Sequence, residues 1–517
     1  MMRISSHRRT TQWNIFFNYS SIILALVSGV VMVPLYLRFI PVGLYGAWLA
    51  TGNILVWITV IDPGLSNVLQ QRVGVAYGRG DMAELNALLT GGLFLSAMIS
   101  GIVLVAGLCS SGLIAGWLHL TPNIDSALVE RAYVLGVFAS ASMILYYGFS
   151  AFCLGLQSSV GVGVLFLMMT LMGMIVTVVL LYRGLGVLAL PIGSLARGLG
   201  LIVSFGVYLA WRYKHESLRY RFTLRGVSTL AKLSSYNFLG QSSRTIAGNL
   251  DAFVVSRFLG AEMTPVYVLT RRAPEVCRMF VERPSLAFMP AISHLVGSGD
   301  VVKVKKVLLR LVRMTWWLLG LVCVGFIMLN DSFVKLWVGS QMFAGRGVNS
   351  ILCIYFLMSS ITMVVSNLSF SLGNIRGNSV AALTQSCLTV PLIVAGAMYG
   401  GLMGVAGASL VSVLAVGWYY PVAFARFLRV EKAEIIGCMR EILAVALAAG
   451  VVFAGFARFS PGGWVAFVIS VTGISVVYAS ILFMASGEFR SEVIAFISRT
   501  LRVKTVVTER KGGAGDA

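Results

Sequence analysis

Long apolar stretches with almost no charge recur along nearly the whole chain and constrain its fold more than any other feature. A helix that crosses a bilayer needs about 20 apolar residues. Backbone groups in lipid must be satisfied within the segment or in a closed barrel, so runs of this length indicate helices. Apolar runs, turn residues and Lys/Arg clusters predict about fourteen spans. Their approximate centres are Leu26, Leu55, Ile102, Ile144, Met172, Leu199, Gly248, Ala273, Gly320, Met363, Leu392, Ser412, Ala449 and Thr472.

The composition excludes most other classes of protein. Of 517 residues, 58% are apolar and 11% are charged, and the mean hydropathy is +0.88. A soluble domain carries roughly 25% charged residues. Fourteen helices would occupy about 280–310 residues, which leaves no room for a large soluble domain. We therefore predict an all-α polytopic membrane protein.

No sequence motif indicates an enzyme, a cofactor or a metal. The chain has no nucleotide-binding G-x-x-x-x-G-K-[ST] loop and no H-E-x-x-H metal motif. Its four histidines are far apart, and its seven cysteines lie in or beside apolar runs. We predict no cofactor and no enzymatic activity.

The charge distribution predicts the orientation. The chain has 40 Lys+Arg and 19 Asp+Glu, a formal net charge of +21. With both termini placed inside, 27 of the Lys and Arg lie on the inside, 7 outside and 6 within spans. This excess indicates cytoplasmic termini, not nucleic-acid binding. The largest inside clusters, at 212–232, 303–313 and after residue 488, either contact anionic lipid headgroups or only set the orientation.

An internal repeat relates the two halves of the chain. Under a shift of 219 positions, Arg38-Phe39 coincides with Arg257-Phe258, and Gly78-x-Gly80-Asp81 coincides with Gly297-x-Gly299-Asp300. The turns at 182–185 (YRGL) and 399–402 (YGGL) match at an offset of 217. Six spans separate the paired positions, so the halves keep the same orientation and are parallel repeats. Transporters built this way hold substrate between the halves.

The repeat and the charge clusters predict five segments. These are a six-helix bundle at 1–212, a basic cytoplasmic linker at 213–232, a second six-helix bundle at 233–430, two extra helices at 431–487, and a basic cytoplasmic tail at 488–517.

Two spans of the second half carry polar and charged stripes. Span seven repeats polar residues at steps of 4 and 3, at Asn237, Gln241, Arg244, Gly248 and Asp251. Span eight places four charges within a sector of about 60°, with Arg272 and Arg283 beside them. The four are Arg271, Glu275, Arg278 and Glu282.

These charges predict a water-accessible, cationic cavity. Each charge costs roughly 2.5–3.5 kcal/mol at the bilayer centre, so the stripe should face water or other charges. Pairs at i,i+4 can form, but arginines remain in excess. The predicted anion-binding cations are Arg244, Arg271, Arg272 and Arg278, with Asp251, Glu275 and Glu282 in positioning roles. Two alternatives stay open: a buried ion-pair seam without a ligand, and a position for Arg283 and Glu282 at the cytoplasmic end of span eight.

The first half is nearly apolar at the corresponding positions. Asn18 and Asn53 are predicted polar lining residues there, as Asn237 and Gln241 are in the second half. Arg197 in span six is a lone charge that either lies in the membrane or reaches towards the interface.

Several short motifs resemble the polysaccharide transporter family. They are 34–40 (PLYLRFI), 43–48 (GLYGAW), 62–65 (DPGL) and 80–81 (GD), with 250–253 (LDAF) and 257–260 (RFLG) in the second half. This family includes the Wzx-type O-antigen flippases of the multidrug/oligosaccharidyl-lipid/polysaccharide exporter superfamily. Arg271-Arg272 is more charged than the family pattern leads us to expect.

The resemblance implies two six-helix bundles in a V shape with two additional C-terminal helices. It implies that a polyprenyl-pyrophosphate-linked oligosaccharide is moved by alternating access to the outer leaflet of a bacterial inner membrane. It also implies Asp251, Glu275 or Glu282 as carboxylates for ion coupling, and polysaccharide polymerase machinery as a candidate partner.

Two other functions are weighed against this one. A drug exporter of the related cation-coupled branch needs an acidic cavity, whereas the spans contain six Arg against three carboxylates, Asp251, Glu275 and Glu282. A membrane-embedded polymerase or glycosyltransferase usually has a long extramembrane loop. The longest loop here is about 25 residues and basic, which disfavours that class.

Overall fold

The computed structural model of the protein describes most of the chain. The described residues are 7–59, 65–118, 120, 124–156, 158–215, 227–228, 230–231, 248–297, 301–372, 374–456, 459–495 and 498. Within these ranges the secondary structure is helical and contains no strand. The predicted all-α fold class is therefore confirmed.

The helices follow one another with short connections. In the first half they are α1 (His7–Phe39), α2 (Val42–Thr59), α3 (Leu65–Arg79), α4 (Met82–Ser111), α5 (Ile114–Leu118), α6 (Ser126–Gly155), α7 (Ser159–Tyr182) and α8 (Ala189–His215). In the second half they are α9 (Asp251–Leu259), α10 (Met263–Gly297), α11 (Val301–Val338), α12 (Arg346–Ser371), α13 (Ile375–Gly417), α14 (Tyr419–Phe427), α15 (Lys432–Phe456) and α16 (Trp464–Ala485). Residues 487–495 are also helical.

Nine of the described helical segments are long and apolar enough to cross a membrane, as a multi-pass membrane protein requires. They are Met82–Ser111, Ser126–Gly155, Ser159–Tyr182, Gly186–Arg212, Val302–Val338, Arg346–Ser369, Arg376–Phe427, Lys432–Phe456 and Trp464–Ala485. The total of about fourteen spans stays a prediction, because much of predicted span seven, at 237–247, lies outside the described residues.

Helix α13 is two helices joined by a tight turn. Gly401 has φ 57° and ψ −143°, a backbone conformation that L side chains rarely adopt. Beyond this turn the two arms touch, because a Cβ atom at Gly404 would lie 1.9 Å from the carbonyl oxygen of Gly396. The two arms correspond to the predicted spans centred on Leu392 and Ser412.

Helix boundaries recur at the offsets that the sequence repeat predicts. Helices α4 and α11 begin at Met82 and Val301, 219 positions apart. The turn glycines Gly184 and Gly401, 217 positions apart, both have positive φ. The halves differ in one respect: α2 and α3 are separate helices, whereas α10 continues without a break over 35 residues. At 1.5 Å per residue α10 is about 52 Å long, longer than a bilayer core is thick.

The chain forms two compact units. The first consists of Met1–Leu269, Trp337–Ala344 and Ser379–Ser412, and the second of Thr270–Leu336, Gly345–Asn378 and Val413–Ala517. In the first unit, α6 packs against α3, α4 and α8 around a buried core that includes Phe152 and Phe205. In the second, α15 packs against α16, and the core around Trp317 and Tyr478 joins them to α11. The five predicted segments remain a prediction.

Candidate functional site

The charged stripe of α10 contains an arginine pair that shares one carboxylate. The Nη2 atom of Arg271 lies 2.5 Å from Oε1 of Glu275, and its Nε donates to the same oxygen at 2.6 Å. The Nη1 atom of Arg272 lies 3.7 Å from Oε2 of Glu275. The spacing of one helical turn causes this arrangement, because residues i and i+4 lie on the same face.

A second pair lies one to two turns further along α10. The Nε atom of Arg278 donates to Oε1 of Glu282 at 2.6 Å, and the Tyr355 side chain of α12 is an electrostatic neighbour of Arg278. The Ser285 hydroxyl donates to the Glu282 carbonyl at 2.7 Å and accepts from Asn367 Nδ2 of α12 at 3.0 Å. The hydrogen bond from Asn367 fastens this end of α10 to α12.

Positive charge remains on α10 after both pairs form. Among the described side chains of α10, Arg271, Arg272 and Arg278 face two carboxylates, so one of these arginines is in excess. The Arg272 side chain is 45% exposed, whereas that of Arg271 is 16% exposed. Because Arg272 is both the more exposed and the more distant partner of Glu275, the excess positive charge lies mainly on Arg272. A guanidinium in this state can bind a phosphate or carboxylate with two parallel hydrogen bonds.

Of the other predicted site residues, the structure describes the side chain of Asp251 alone. Asp251 is the first residue of α9 and is buried; its Oδ1 accepts the N–H of Ala252 at 3.1 Å. It belongs to the first unit, whereas Arg271 to Glu282 belong to the second. Three predicted residues, Asn237, Gln241 and Arg244, lie outside the described residues, and Asn18 in α1 and Asn53 in α2 lie outside the described side chains.

One buried carboxylate is not among the site residues predicted from the sequence. Glu441 in α15 is 2% exposed, and its Oε2 accepts hydrogen bonds from Trp317 Nε1 at 3.0 Å and from the Ser486 hydroxyl at 2.6 Å. The count of six arginines against three carboxylates within the predicted spans therefore omits the carboxylate of Glu441, which lies inside an apolar helix. A search for carboxylates over the full length of span thirteen would have found it.

Several cations of the 303–313 cluster are paired within the chain. Lys305 Nζ lies 2.6 Å from Glu434 Oε2, Arg313 Nη1 lies 2.5 Å from Glu488 Oε1, and Arg310 pairs with Glu492. These pairs connect α11 with α15 and with the helix at 487–495. The expected contact with anionic lipid stays a prediction, and it depends on cations outside these pairs. Among the described residues, no group of three His, Cys, Asp or Glu side chains could hold a metal ion.

Comparison with known proteins supports the resemblance in the sequence. The family model described as "Polysaccharide biosynthesis protein" matches residues 162–346. This segment includes α10 and all its paired charges. No curated protein sequence matches the chain.

Solved structures of transporters share the fold. The lipid II flippase MurJ, in an inward closed conformation, is 15% identical with a TM-score of 0.65, over 93% of this chain and 99% of MurJ. An inward-facing multidrug resistance MATE family transporter of the MOP superfamily is 13% identical with a TM-score of 0.65, over 79% of this chain and 95% of its own. A MOP superfamily transporter from Pyrococcus furiosus, whose binding pocket is described as having reverse polarity, is 13% identical with a TM-score of 0.50, over 81% of this chain and 93% of its own. The chain therefore has the fold of the MOP superfamily.

Proposed function

We propose that this chain, which has the fold of MOP-superfamily transporters and carries a polysaccharide-biosynthesis segment, is a flippase for a lipid-linked oligosaccharide. Its substrate is a polyprenyl-pyrophosphate-linked unit of O-antigen, capsule or exopolysaccharide. It moves this lipid from the cytoplasmic to the outer leaflet of a bacterial inner membrane, with both termini in the cytoplasm. It acts by alternating access between parallel repeats and has no enzymatic activity.

The excess charge at Arg272 is the observation that carries the proposal. Glu275 holds Arg271 at 2.5 Å and Arg272 only at 3.7 Å, so an incoming anion competes with the weaker of two contacts. The planar guanidinium group can donate two parallel hydrogen bonds to the oxygens of a pyrophosphate group. A lysine or an amide side chain cannot form this pair of bonds. Glu275 keeps Arg271 neutralised during this exchange, and the hydrogen bond from Asn367 to Ser285 holds α10 against α12.

The experiment measures lipid movement in proteoliposomes that contain the purified full-length protein. A fluorescent polyprenyl-pyrophosphate disaccharide is incorporated, and a membrane-impermeant quencher reports the fraction in the outer leaflet over time. We expect Arg272→Gln to slow translocation about ten-fold or more, because charge-assisted hydrogen bonds contribute about 1.5–3 kcal/mol. Arg272→Lys should restore translocation only in part.

The matched control is Arg183→Gln. Arg183 is an exposed arginine that follows α7 directly, and its replacement should leave translocation unchanged. Translocation by Arg272→Gln at the wild-type rate would contradict the assignment of Arg272 to the substrate site.

The alternative is a cation-coupled drug exporter with the same fold. The MATE transporters among the structural neighbours favour it, and so does the additional buried carboxylate Glu441. A site for organic cations should be acidic, whereas α10 contains four arginines and two glutamates. Efflux of ethidium from cells that express the chain, in the absence of glycolipid translocation, would support the exporter instead.

A further inference from the structure

A single arginine lies in the middle of a membrane-spanning helix of the first unit. Arg197 follows Gly186 by 11 residues in the span Gly186–Arg212. At 1.5 Å per residue it lies about 16 Å from the nearer end of the span, which is about half the thickness of a bilayer core. Its neighbour Ser140 lies at the middle of the 30-residue helix α6, which agrees with a position at mid-membrane depth.

The guanidinium of Arg197 does not reach towards an interface. Its Cζ atom lies 4.9 Å from the centre of the Phe166 ring of α7. Its Nε atom is buried and has no hydrogen-bond acceptor. Its electrostatic neighbours in the described part of the chain are the phenols of Tyr146 and Tyr147, not a carboxylate. The stabilisation from a cation–π contact is smaller than the free energy needed to place a charge at this depth in the membrane. The environment of this arginine is therefore incomplete without an anion.

A cavity opens beside this arginine. It has a volume of about 300 Å³ and is lined by residues of α6 and α8, among them Ser140, Tyr147 and Ser194. The Ser194 hydroxyl donates to the Leu190 carbonyl at 3.0 Å. Ser140 makes no hydrogen bond within the described residues, so its hydroxyl can donate to a ligand. The volume is at the lower limit for small-molecule sites and suits one headgroup, not an oligosaccharide.

Close packing of α7 on α8 holds the arginine in place. A Cβ atom at Gly173 would lie 2.8 Å from Cβ of Arg197 and 2.9 Å from the carbonyl oxygen of Gly193. A Cβ atom at Gly193 would in turn lie 1.8 Å from Oγ1 of Thr177. Glycines at such crossings let helix backbones approach closely in a membrane. The position of Arg197 beside the cavity therefore depends on packing that involves no charge.

We propose that Arg197, with Ser140 and Tyr147, forms a mid-membrane subsite for the phosphoryl group of an isoprenoid lipid. The guanidinium provides donors that match a phosphate oxygen pair, and Ser140 provides one more. This inference rests on the proposed function and adds to it a second anion subsite, in the first half of the chain. The apolar wall, which includes Met143 and Ile144, accommodates the start of an isoprenoid chain.

Binding to the purified full-length protein tests the subsite. The probes are farnesyl pyrophosphate and farnesol, with microscale thermophoresis as the readout. We expect wild type to bind farnesyl pyrophosphate and not farnesol. We expect Arg197→Gln to bind farnesyl pyrophosphate at least ten-fold more weakly, Ser140→Ala to bind it several-fold more weakly, and the control Arg183→Gln to bind it as wild type does.

Each outcome decides between the two proposals. If Arg272→Gln weakens binding and Arg197→Gln does not, the subsite is overturned and the proposed function stands. If wild type does not bind farnesyl pyrophosphate, both the subsite and the proposed substrate class are overturned. If Arg197→Gln does not fold, Ser140→Ala and Gly173→Ala replace it, since neither removes a charge: weaker binding by either variant supports the subsite, and wild-type binding by both overturns it.

Discussion

Trp317 of α11 donates its indole N–H to the buried carboxylate of Glu441 of α15 at 3.0 Å. The same carboxylate oxygen accepts from Ser486, and the Tyr478 hydroxyl donates to the Trp317 carbonyl at 2.9 Å. The ring of Phe489 packs edge-on against Trp317 with 5.1 Å between centroids. This network attaches the two C-terminal helices and the helix at 487–495 to α11.

We therefore predict that Glu441 stabilises the second unit. Glu441→Leu leaves the Trp317 N–H and the Ser486 hydroxyl without an acceptor, at about 1–3 kcal/mol for each group. Thermal unfolding in detergent should show a clearly lower midpoint for Glu441→Leu and a smaller decrease for Glu441→Gln, which keeps an acceptor. The control Glu431→Gln, at a side chain that is 79% exposed, should change little. Equal midpoints for Glu441→Leu and wild type would contradict the structural role.

The helix at 487–495 should be released when its carboxylates are removed. Glu488 pairs with Arg313, and Glu492 pairs with Arg310. Exposed pairs contribute about 0.2–1 kcal/mol each, so losing both weakens a short helix noticeably. In Glu488→Gln/Glu492→Gln, hydrogen exchange at 487–495 should accelerate several-fold while exchange in α11 stays unchanged. Unchanged exchange at 487–495 would show that Phe489 and Ser486 suffice to hold it.

Replacing one partner of the Arg278–Glu282 pair should destabilise the protein more than replacing both partners. The two side chains are 27% and 14% exposed, so a single replacement leaves a poorly solvated charge. We expect Arg278→Gln to lower the free energy of unfolding by about 2 kcal/mol or more. This loss is somewhat smaller than the roughly 3–5 kcal/mol that is lost when one partner of a fully buried pair is removed. The double variant Arg278→Gln/Glu282→Gln should recover part of this loss. The exposed Arg183, which follows α7 directly, serves as control, with a small effect expected from Arg183→Gln.

Removal of the shared carboxylate should strengthen anion binding. Glu275→Gln frees both Arg271 and Arg272 and raises the excess charge on α10 by one. In an Arg197→Gln background, which removes the proposed second subsite, we expect Glu275→Gln to bind farnesyl pyrophosphate roughly ten-fold more tightly. In the otherwise wild-type protein, we expect glycolipid translocation to slow because release becomes limiting. Weaker binding in this variant would instead indicate that Glu275 itself positions or couples the substrate.

The contact between the two arms of α13 should tolerate no added methyl group. A Cβ atom at Gly404 would lie 1.9 Å from a carbonyl oxygen of the facing arm, whereas one at Gly407 would meet nothing within 4 Å. Gly404→Ala should therefore lower the thermal midpoint or the yield of folded protein. Gly407→Ala should be neutral or stabilising by up to about 1 kcal/mol, as alanine is in a helix. A midpoint for Gly404→Ala equal to that for Gly407→Ala would contradict the close approach.

Much of the candidate site could be predicted from residue spacing. The i,i+4 distances along α10 were enough to indicate the pairs Arg271–Glu275 and Arg278–Glu282, because both partners lie on one helix. Spacing along one helix could not indicate that Lys305, Arg310 and Arg313 would be neutralised by carboxylates about 130 to 180 positions away. Nor could it place Trp317 beside Glu441.

The amino-acid sequence alone determined the helical class, the repeat and the positions of the charged helix faces. These follow from local rules, since lipid obliges each apolar stretch to satisfy its own backbone and helical geometry places every fourth residue on one face. Only the tertiary structure decided which cations are neutralised by a carboxylate from a distant helix and which can bind an anion. Arg272 and Arg197 differ from Arg313 in what other side chains lie within a few ångströms, and that proximity arises only when distant helices pack together.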